Sequence, residues 1–387
     1  MKVGISLLSA RTQRTGVENS ALNLILQLGK MNTEDEFHIY ADSRNLPWLP
    51  SMSDRIHIVD VRLPCRRALW FWEHLFFLTD RRPKEVDIVH FPIGGGVVGY
   101  PGRFVLTIHD LNHYLNRRRV RLHRHLLWRV WCKFNIRRAS IIITVSEHVK
   151  KQILRHFLIR TEDIQVIPNG LDQRFGRYPN THIRSKYNLP SRYVLFVGQT
   201  SANKNLDRAV DAIKQVRSQN GVDHCFLIAG MPGDADASLK AHVRKKHLEN
   251  AVRFLGYIDD NDLPQLYSGA SLFLFPSITE GFGIPPLEAM RCGVPAVVAY
   301  ASSMPEVLGD AAIWVDPLSV ESIADGIRVG LLDQGVREAA IAKGLSRAQQ
   351  FSWERMASET MRIYREAGVS CPNLSKNNGL DEDLSNT

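Results

Sequence analysis

Glu280 and Glu288 bracket the stretch Gly281-Phe282-Gly283-Ile284-Pro285-Pro286-Leu287, so two carboxylates stand with seven residues between them. Glycine lets backbone amides come close to a ligand. Proline is tolerated in the first turn of a helix, where its missing N–H costs nothing. The prolines therefore predict a helix start, and its free amides and dipole favour an anion. The preceding residues, 270–276, form an apolar run that predicts a buried strand. One loop then offers an acceptor carboxylate, bare N–H groups, a positive helix end and a second carboxylate about two turns on. A ligand carrying both hydroxyls and phosphate, such as a nucleotide-sugar, fits that set. A solvated loop with an acidic helix cap is the rival reading.

Lys204 closes the run Gly198-Gln199-Thr200-Ser201-Ala202-Asn203, which follows another predicted strand. At a helix start on a glycine-headed loop, an ammonium can reach a diphosphate as a point charge. The run is not a P-loop, because it lacks the Gly-Lys-Ser/Thr ending. An exposed helix-surface lysine is the alternative. His109 ends a strand and can exchange a hydrogen bond with a sugar hydroxyl, or bond to backbone instead. Asp110 either orients that imidazole or caps the next helix. Gly16, at a strand-to-helix turn, and Tyr257 also sit at predicted strand ends.

These positions need a frame that gathers strand ends. Strands are predicted over 3–8, 37–40, 56–61, 86–91, 104–108, 141–145 and 164–167, with helices over 15–30 and 147–154. After a polar stretch the alternation restarts. Strands are predicted over 193–197, 225–229, 252–255, 270–275, 295–299 and 313–315, with helices between them and a last helix over 353–367. Such alternation implies an α/β fold with parallel sheets and helical crossovers. Ligands of these sheets bind outside the carboxyl ends of the strands. Two facing sheets would form a cleft between domains. The expected division is an acceptor-side domain over 1–175, a linker over 176–192 and a donor-binding domain over 193–352, with a disordered tail over 371–387.

The chain has 387 residues and a net charge of +9. Residues 1–190 hold 30 basic against 16 acidic residues and the remainder 19 against 24, so the first half is the one that faces something anionic. Much of the excess falls within 112–138, which contains Arg117, Arg118, Arg119, Arg121, Arg124 and four further basic residues without one Asp or Glu. Trp128 and Trp131 are interleaved with leucines there. A basic helix with tryptophans on its apolar side suits an anionic membrane surface. No recognition motif supports nucleic acid, and a crossover helix with a core-facing apolar side explains the tryptophans but not the arginines. Neither a transmembrane run nor a leader pattern is evident. Five scattered cysteines fit a reducing cytosol.

Together these residues resemble a family 4 glycosyltransferase of the GT-B fold. Glu280 and Glu288 match its E-x7-E signature. Further matches run along nearly the whole chain: the Gly16 loop, Thr107-Ile108-His109-Asp110, Thr144-Val145-Ser146-Glu147, Pro168-Asn169-Gly170, Phe196-Val197-Gly198 with Lys204, and Phe254-Leu255-Gly256-Tyr257. The resemblance implies two Rossmann-like domains, with a helix over 353–370 crossing back to the first. It implies retaining, metal-independent hexose transfer from a nucleotide-sugar, with no other cofactor. Lys204 would bind the leaving diphosphate. Glu280 and the amides of Gly281, Phe282 and Gly283 would hold sugar and phosphate, and Glu288 the ribose. His109 would touch the sugar near the reacting carbon. Gly16 and Gly198 would admit the phosphates, and backbone beside Tyr257 the base. Similarity to mannosyltransferases of O-antigen assembly makes GDP-mannose the expected donor and a polyprenyl-diphosphate-linked glycan the expected acceptor. The place would be the inner face of the plasma membrane. Gln199 and Asn203 stand where many relatives carry arginine. A UDP-linked donor, or a weakly active or non-catalytic partner subunit, is the alternative.

Overall fold

A computed structural model describes residues 1–49, 54–64, 69–93, 96–115, 122–179, 181–220 and 222–369. The first sheet contains β1 (Lys2–Ser6), β2 (Glu36–Ala41), β3 (Ile56–Asp60), β4 (Ile88–Phe91), β5 (Phe104–Ile108), β6 (Ile141–Thr144) and β7 (Ile164–Val166). Its order is β3-β2-β1-β4-β5-β6-β7, with every pairing parallel. The second sheet contains β8 (Tyr193–Val197), β9 (Cys225–Ala229), β10 (Val252–Gly256), β11 (Leu272–Phe275), β12 (Ala296–Ala299) and β13 (Ile313–Val315). Its order is β10-β9-β8-β11-β12-β13, again all parallel.

Helices cover both faces of each sheet, so the central strands are buried on both sides and read as unbroken apolar runs. Every residue of β4, β5, β9, β11 and β12 is buried. Each sheet reverses direction of growth once, between β1 and β4 and between β8 and β11, and loops leaving these strands open the crevices where ligands sit. The Gly16 helix follows β1, His109 follows β5, Lys204 follows β8 and Glu280 follows β11.

The helix Trp353–Val369 packs against the helix Gly16–Lys30 of the first domain. Its buried face is Trp353, Met356, Ala357, Thr360, Met361, Ile363, Tyr364 and Ala367. That spacing of three and four residues is one side of a helix. The Tyr364 hydroxyl lies 2.7 Å from His90 Nδ1, and His90 Nε2 lies 2.8 Å from Thr107 Oγ1, so a buried imidazole ties this helix to β4 and β5. Asp35 accepts from the N-terminal ammonium at 2.7 Å and from Arg365 at 3.2 Å, fixing the helix's far end.

Within residues 176–192 lies a short helix, Thr181–Lys186. That helix was not foreseen, and neither were Met304–Leu308 and two longer helices. Leu69–Thr79 reads LWFWEHLFFLT, apolar almost all round, so no stripe marks its period. Gln334–Ala348 buries Ala340, Gly344 and Ala348, small residues that carry little hydrophobic signal. Within the basic segment the described residues form the helices Asn112–Leu115 and Leu122–Arg138. Arg117, Arg118, Arg119 and Arg121, like the tail over 371–387, lie outside the described residues.

Candidate active site

Lys204 is aimed by its neighbours. After Gly198 the chain makes a turn, Ala202–Lys204, and Asn205 takes a left-handed φ of 59° before the helix Leu206–Asn220. The Asn205 amide donates to the Pro276 carbonyl at 3.1 Å and the Pro317 carbonyl at 2.7 Å. Asn203 donates to the Thr279 carbonyl at 3.0 Å and accepts from the Ile278 N–H at 2.8 Å. These bonds fasten the Lys204 turn to the loop after β11. Lys204 Nζ consequently meets Glu280 Oε1 at 2.6 Å, with side chains only 17% and 12% exposed. The ammonium also lies 5.2 Å from the Phe275 ring centroid, within cation–π range.

The Glu280 backbone is gripped on both sides. Its N–H donates to Ser302 Oγ at 3.0 Å, and its carbonyl accepts from Ser303 Oγ at 3.0 Å. Neither serine was singled out from sequence. The glycines of the loop serve the protein's own packing. A Cβ on Gly281 would fall 1.8 Å from the His109 carbonyl oxygen, so glycine is what lets the two domains meet here. Gly283 has φ +83° and caps the helix Ile284–Arg291, with Met304 filling the space beside it. Phe282 is buried against Phe351.

Glu288 sits one helix turn inside. It accepts from the Tyr267 hydroxyl at 2.7 Å, and burial pushes its pKa up to about 7. The two carboxylates thus live differently, one in an ion pair and one beside a phenol, and do not form an acid/base couple. On the facing domain, burial lowers the His109 pKa, so the ring is neutral at pH 7. Its Nε2 donates to the Pro92 carbonyl at 2.8 Å, which leaves Nδ1 as an acceptor. Asp110 accepts from the Asn112 N–H at 2.8 Å and so caps the following helix. Gly16 opens its helix with nothing within 4 Å of where a Cβ would stand.

Tyr257 is 52% exposed, its hydroxyl 3.4 Å from Asp260, and Asp260 pairs with Arg14 of the first domain. Three Asp-x-Asp triplets occur; the one at 381–383 lies outside the described residues, and the other two are at 234–236 and 260–262. Their carboxylates are bonded internally: Asp234 to the Ala202 N–H, Asp236 to Thr200 and Lys240, Asp260 to Arg14, and Asp262 to Lys186 and Tyr187. Among the described residues no group of three or more His, Cys, Asp or Glu is arranged to hold a metal. Arg124 and Trp128 fall on the helix Leu122–Arg138. Trp131 is half-buried against the core, and among the described side chains of that helix, 129–138, the exposed apolar ones are Val130 and Phe134.

Two parallel-sheet domains, meeting where a lysine–carboxylate pair stands opposite a neutral histidine, define a glycosyltransferase of the GT-B class. Residues 14–175 match the family described as Glycosyltransferase Family 4, and residues 179–371 match Glycosyl transferases group 1. The chain belongs to the family 4 glycosyltransferases. It is 33% identical to O-antigen chain mannosyltransferase B of Escherichia coli over 68% of this chain and 70% of that protein. It is 27% identical to the serotype-specific mannosyltransferase WbdA of Escherichia coli over 66% of this chain, but spans only 32% of that longer protein. Among solved structures, sucrose-phosphate synthase from Thermosynechococcus elongatus superposes with a TM-score of 0.75 at 18% identity, covering 95% of this chain and 98% of that one. WaaG, a glycosyltransferase involved in lipopolysaccharide biosynthesis, gives 0.72 at 15% identity, covering 94% and 99%. At such identities the superpositions establish the fold.

Proposed function

We propose that this glycosyltransferase moves mannose from GDP-mannose onto a polyprenyl-diphosphate-linked glycan, with retention at the anomeric carbon and without a metal. The observation that carries the reading is the Lys204–Glu280 pair, 2.6 Å apart beside the first turn of the helix Ile284–Arg291. A donor diphosphate takes Lys204 from Glu280 and lies against the amides of Gly281, Phe282 and Gly283 at the helix's positive end, which frees the carboxylate for the sugar hydroxyls. His109 Nδ1 accepts from a further sugar hydroxyl, and Glu288 takes the ribose. As the anomeric C–O bond to phosphate breaks, negative charge grows on the leaving diphosphate. A fixed ammonium and helix dipole stabilise that charge without reorganising. The acceptor oxygen bonds to the same face of the anomeric carbon, and its proton passes to the leaving phosphate oxygen. Mannose as the sugar is supported by the names of both Escherichia coli relatives.

The lipid-linked acceptor implies work at a membrane surface. Among the described residues no helix is long and apolar enough to cross a membrane. The helix Leu122–Arg138 exposes Val130 and Phe134 among Arg129, Lys133 and Arg137, a pattern suited to anionic headgroups. Purified protein incubated with radiolabelled GDP-mannose and membrane lipid extract tests the donor and acceptor together. Transfer from a UDP-sugar and none from GDP-mannose would sink the donor assignment. Replacing Arg117, Arg118, Arg119 and Arg121 by serine is expected to abolish binding to anionic liposomes at low salt; unchanged binding refutes the membrane surface.

A further inference from the structure

Transfer as proposed needs Glu280 held opposite His109, which stands on the other domain. Three hydrogen bonds join the domains beside Gly281. Ser146 caps the helix Glu147–His156 by accepting from the Val149 N–H at 3.3 Å, and its hydroxyl donates to the Gly281 carbonyl at 2.7 Å. The first amides of a helix have no partner within it. Glu306 reaches them from the second domain: its carboxylate accepts from the Glu147 N–H at 2.6 Å and the His148 N–H at 3.0 Å. A carboxylate on a positive helix end makes charge-assisted bonds.

The same short segment controls Glu280. Ser302 and Ser303, which grip the Glu280 backbone, lie four and three residues before Glu306. Ser302 takes a left-handed φ of 53°, which a non-glycine residue keeps only where its surroundings dictate it. Met304 fills the space at Gly283. Arg347 braces the segment from behind, donating to the Val307 carbonyl at 2.8 Å and the Glu306 carbonyl at 2.7 Å. The segment from Ser302 to Glu306 is therefore one link between a first-domain helix and the backbone of the Glu280 loop.

We infer that Glu306 is a positioning residue for transfer: by capping the helix Glu147–His156 it clamps the cleft shut and fixes Glu280 opposite His109. The inference rests on the reading of Glu280 as a donor-binding group. A ligand that needs the closed form binds with an affinity reduced by the closed fraction. Losing two charge-assisted hydrogen bonds is expected to cut that fraction about tenfold.

The test uses the full chain with Glu306→Ala, Glu306→Gln and Ser146→Ala, each checked for folding by circular dichroism. Small-angle scattering, without ligand and with saturating GDP, reads closure, and steady-state kinetics read the donor. Glu306→Ala is expected to expand the ligand-free particle, and GDP to compact it again. Its donor KM rises about tenfold while kcat at saturation stays within about twofold, because saturating donor pulls the cleft shut. Glu306→Gln, which keeps an acceptor oxygen, falls between, and Ser146→Ala shifts the same way from the other domain. Scattering identical to wild type, or a fall in kcat with unchanged KM, overturns the clamp. If Glu306→Ala does not fold, the other two variants decide by the same readings. Scattering needs no turnover, so a wild type inactive with every donor would defeat the reading of Glu280 while the clamp is still judged.

Discussion

Glu288→Gln removes the charge of the second carboxylate and keeps its shape. Burial raises the Glu288 pKa from 4.5 to about 7, although the Tyr267 hydroxyl and the Arg174 charge both favour the ionised form. A raised pKa means that the folded chain holds the proton more tightly than the unfolded one. The contribution to stability is therefore full below pH 4.5 and is lost as pH rises through about 7. At about 1.4 kcal/mol for each tenfold, the ceiling is ~3 kcal/mol, discounted because part of the side chain reaches solvent. Glutamine is neutral at every pH and can still accept from Tyr267. The variant is expected to be more stable than wild type at pH 8, by up to ~3 kcal/mol, with the gap closing towards pH 5. Urea unfolding followed by fluorescence at both pH values measures it. Function moves the other way. If Glu288 accepts from ribose hydroxyls, donor binding favours its ionised form, so the wild-type donor KM rises as pH falls below 7. The glutamine variant has a high KM that does not vary with pH. A stability gap equal at pH 5 and pH 8 refutes the burial argument. A wild-type KM flat across pH 7 refutes the ribose contact.

Lys204→Met keeps bulk over Phe275 but leaves Glu280 without its cation. It is expected to lower kcat about 100- to 1,000-fold at saturating donor, and near-normal kcat would refute the leaving-group role. Gly281→Ala places a methyl group 1.8 Å from the His109 carbonyl, so the domains must part. Donor KM rises more than about tenfold, and a wild-type KM would mean that the loops yield instead. His90 is held neutral by burial, its pKa down to about 3. Its contribution to stability is full above pH 6.5 and fades as pH falls towards 3. Hydrogen exchange is expected to show the helix Trp353–Val369 loosening in acid for wild type, and losing that pH dependence in His90→Asn.

Both sheets were legible in the sequence because buried parallel strands are apolar on both faces, as Ile141–Thr144 and Leu272–Phe275 are. The helices Leu69–Thr79 and Gln334–Ala348 were not, since one is apolar nearly all round and the other buries alanine and glycine. In the site, residue types at strand ends pointed to Lys204, His109, Glu280 and Glu288. Sequence did not reveal that Lys204 and Glu280 bond each other, or that Gly281 has no room for a side chain beside the His109 carbonyl. Ser302, Ser303 and Glu306 carried no local signal. All of these depend on contacts between residues far apart in the chain, which local periodicity does not encode. The nearest clue was a Ser-Ser-Met-Pro-Glu run between two predicted strands.

Gln199 and Asn203 leave the site one cation short of many relatives, and the geometry gives Asn203 a different task. Its amide and carbonyl staple the Lys204 turn to residues 278 and 279. An arginine there would keep the backbone bond from the Ile278 N–H but lose the short side-chain bond to the Thr279 carbonyl. Glu280 is the ion-pair partner of the Lys204 ammonium while the site is unfilled. Opening that pair strands a poorly solvated charge on each side, a cost of about 1–3 kcal/mol or more per group. A free sugar supplies hydroxyls for Glu280 but nothing for Lys204. A free diphosphate supplies an anion for Lys204 and leaves Glu280 unmatched. Only a ligand with both, joined at the length of a sugar–phosphate bond, satisfies the two charges at once. On the proposed reading the ion pair discriminates against the fragments of a donor as well as recognising the whole, and this selectivity lies in the partner that each fragment fails to provide.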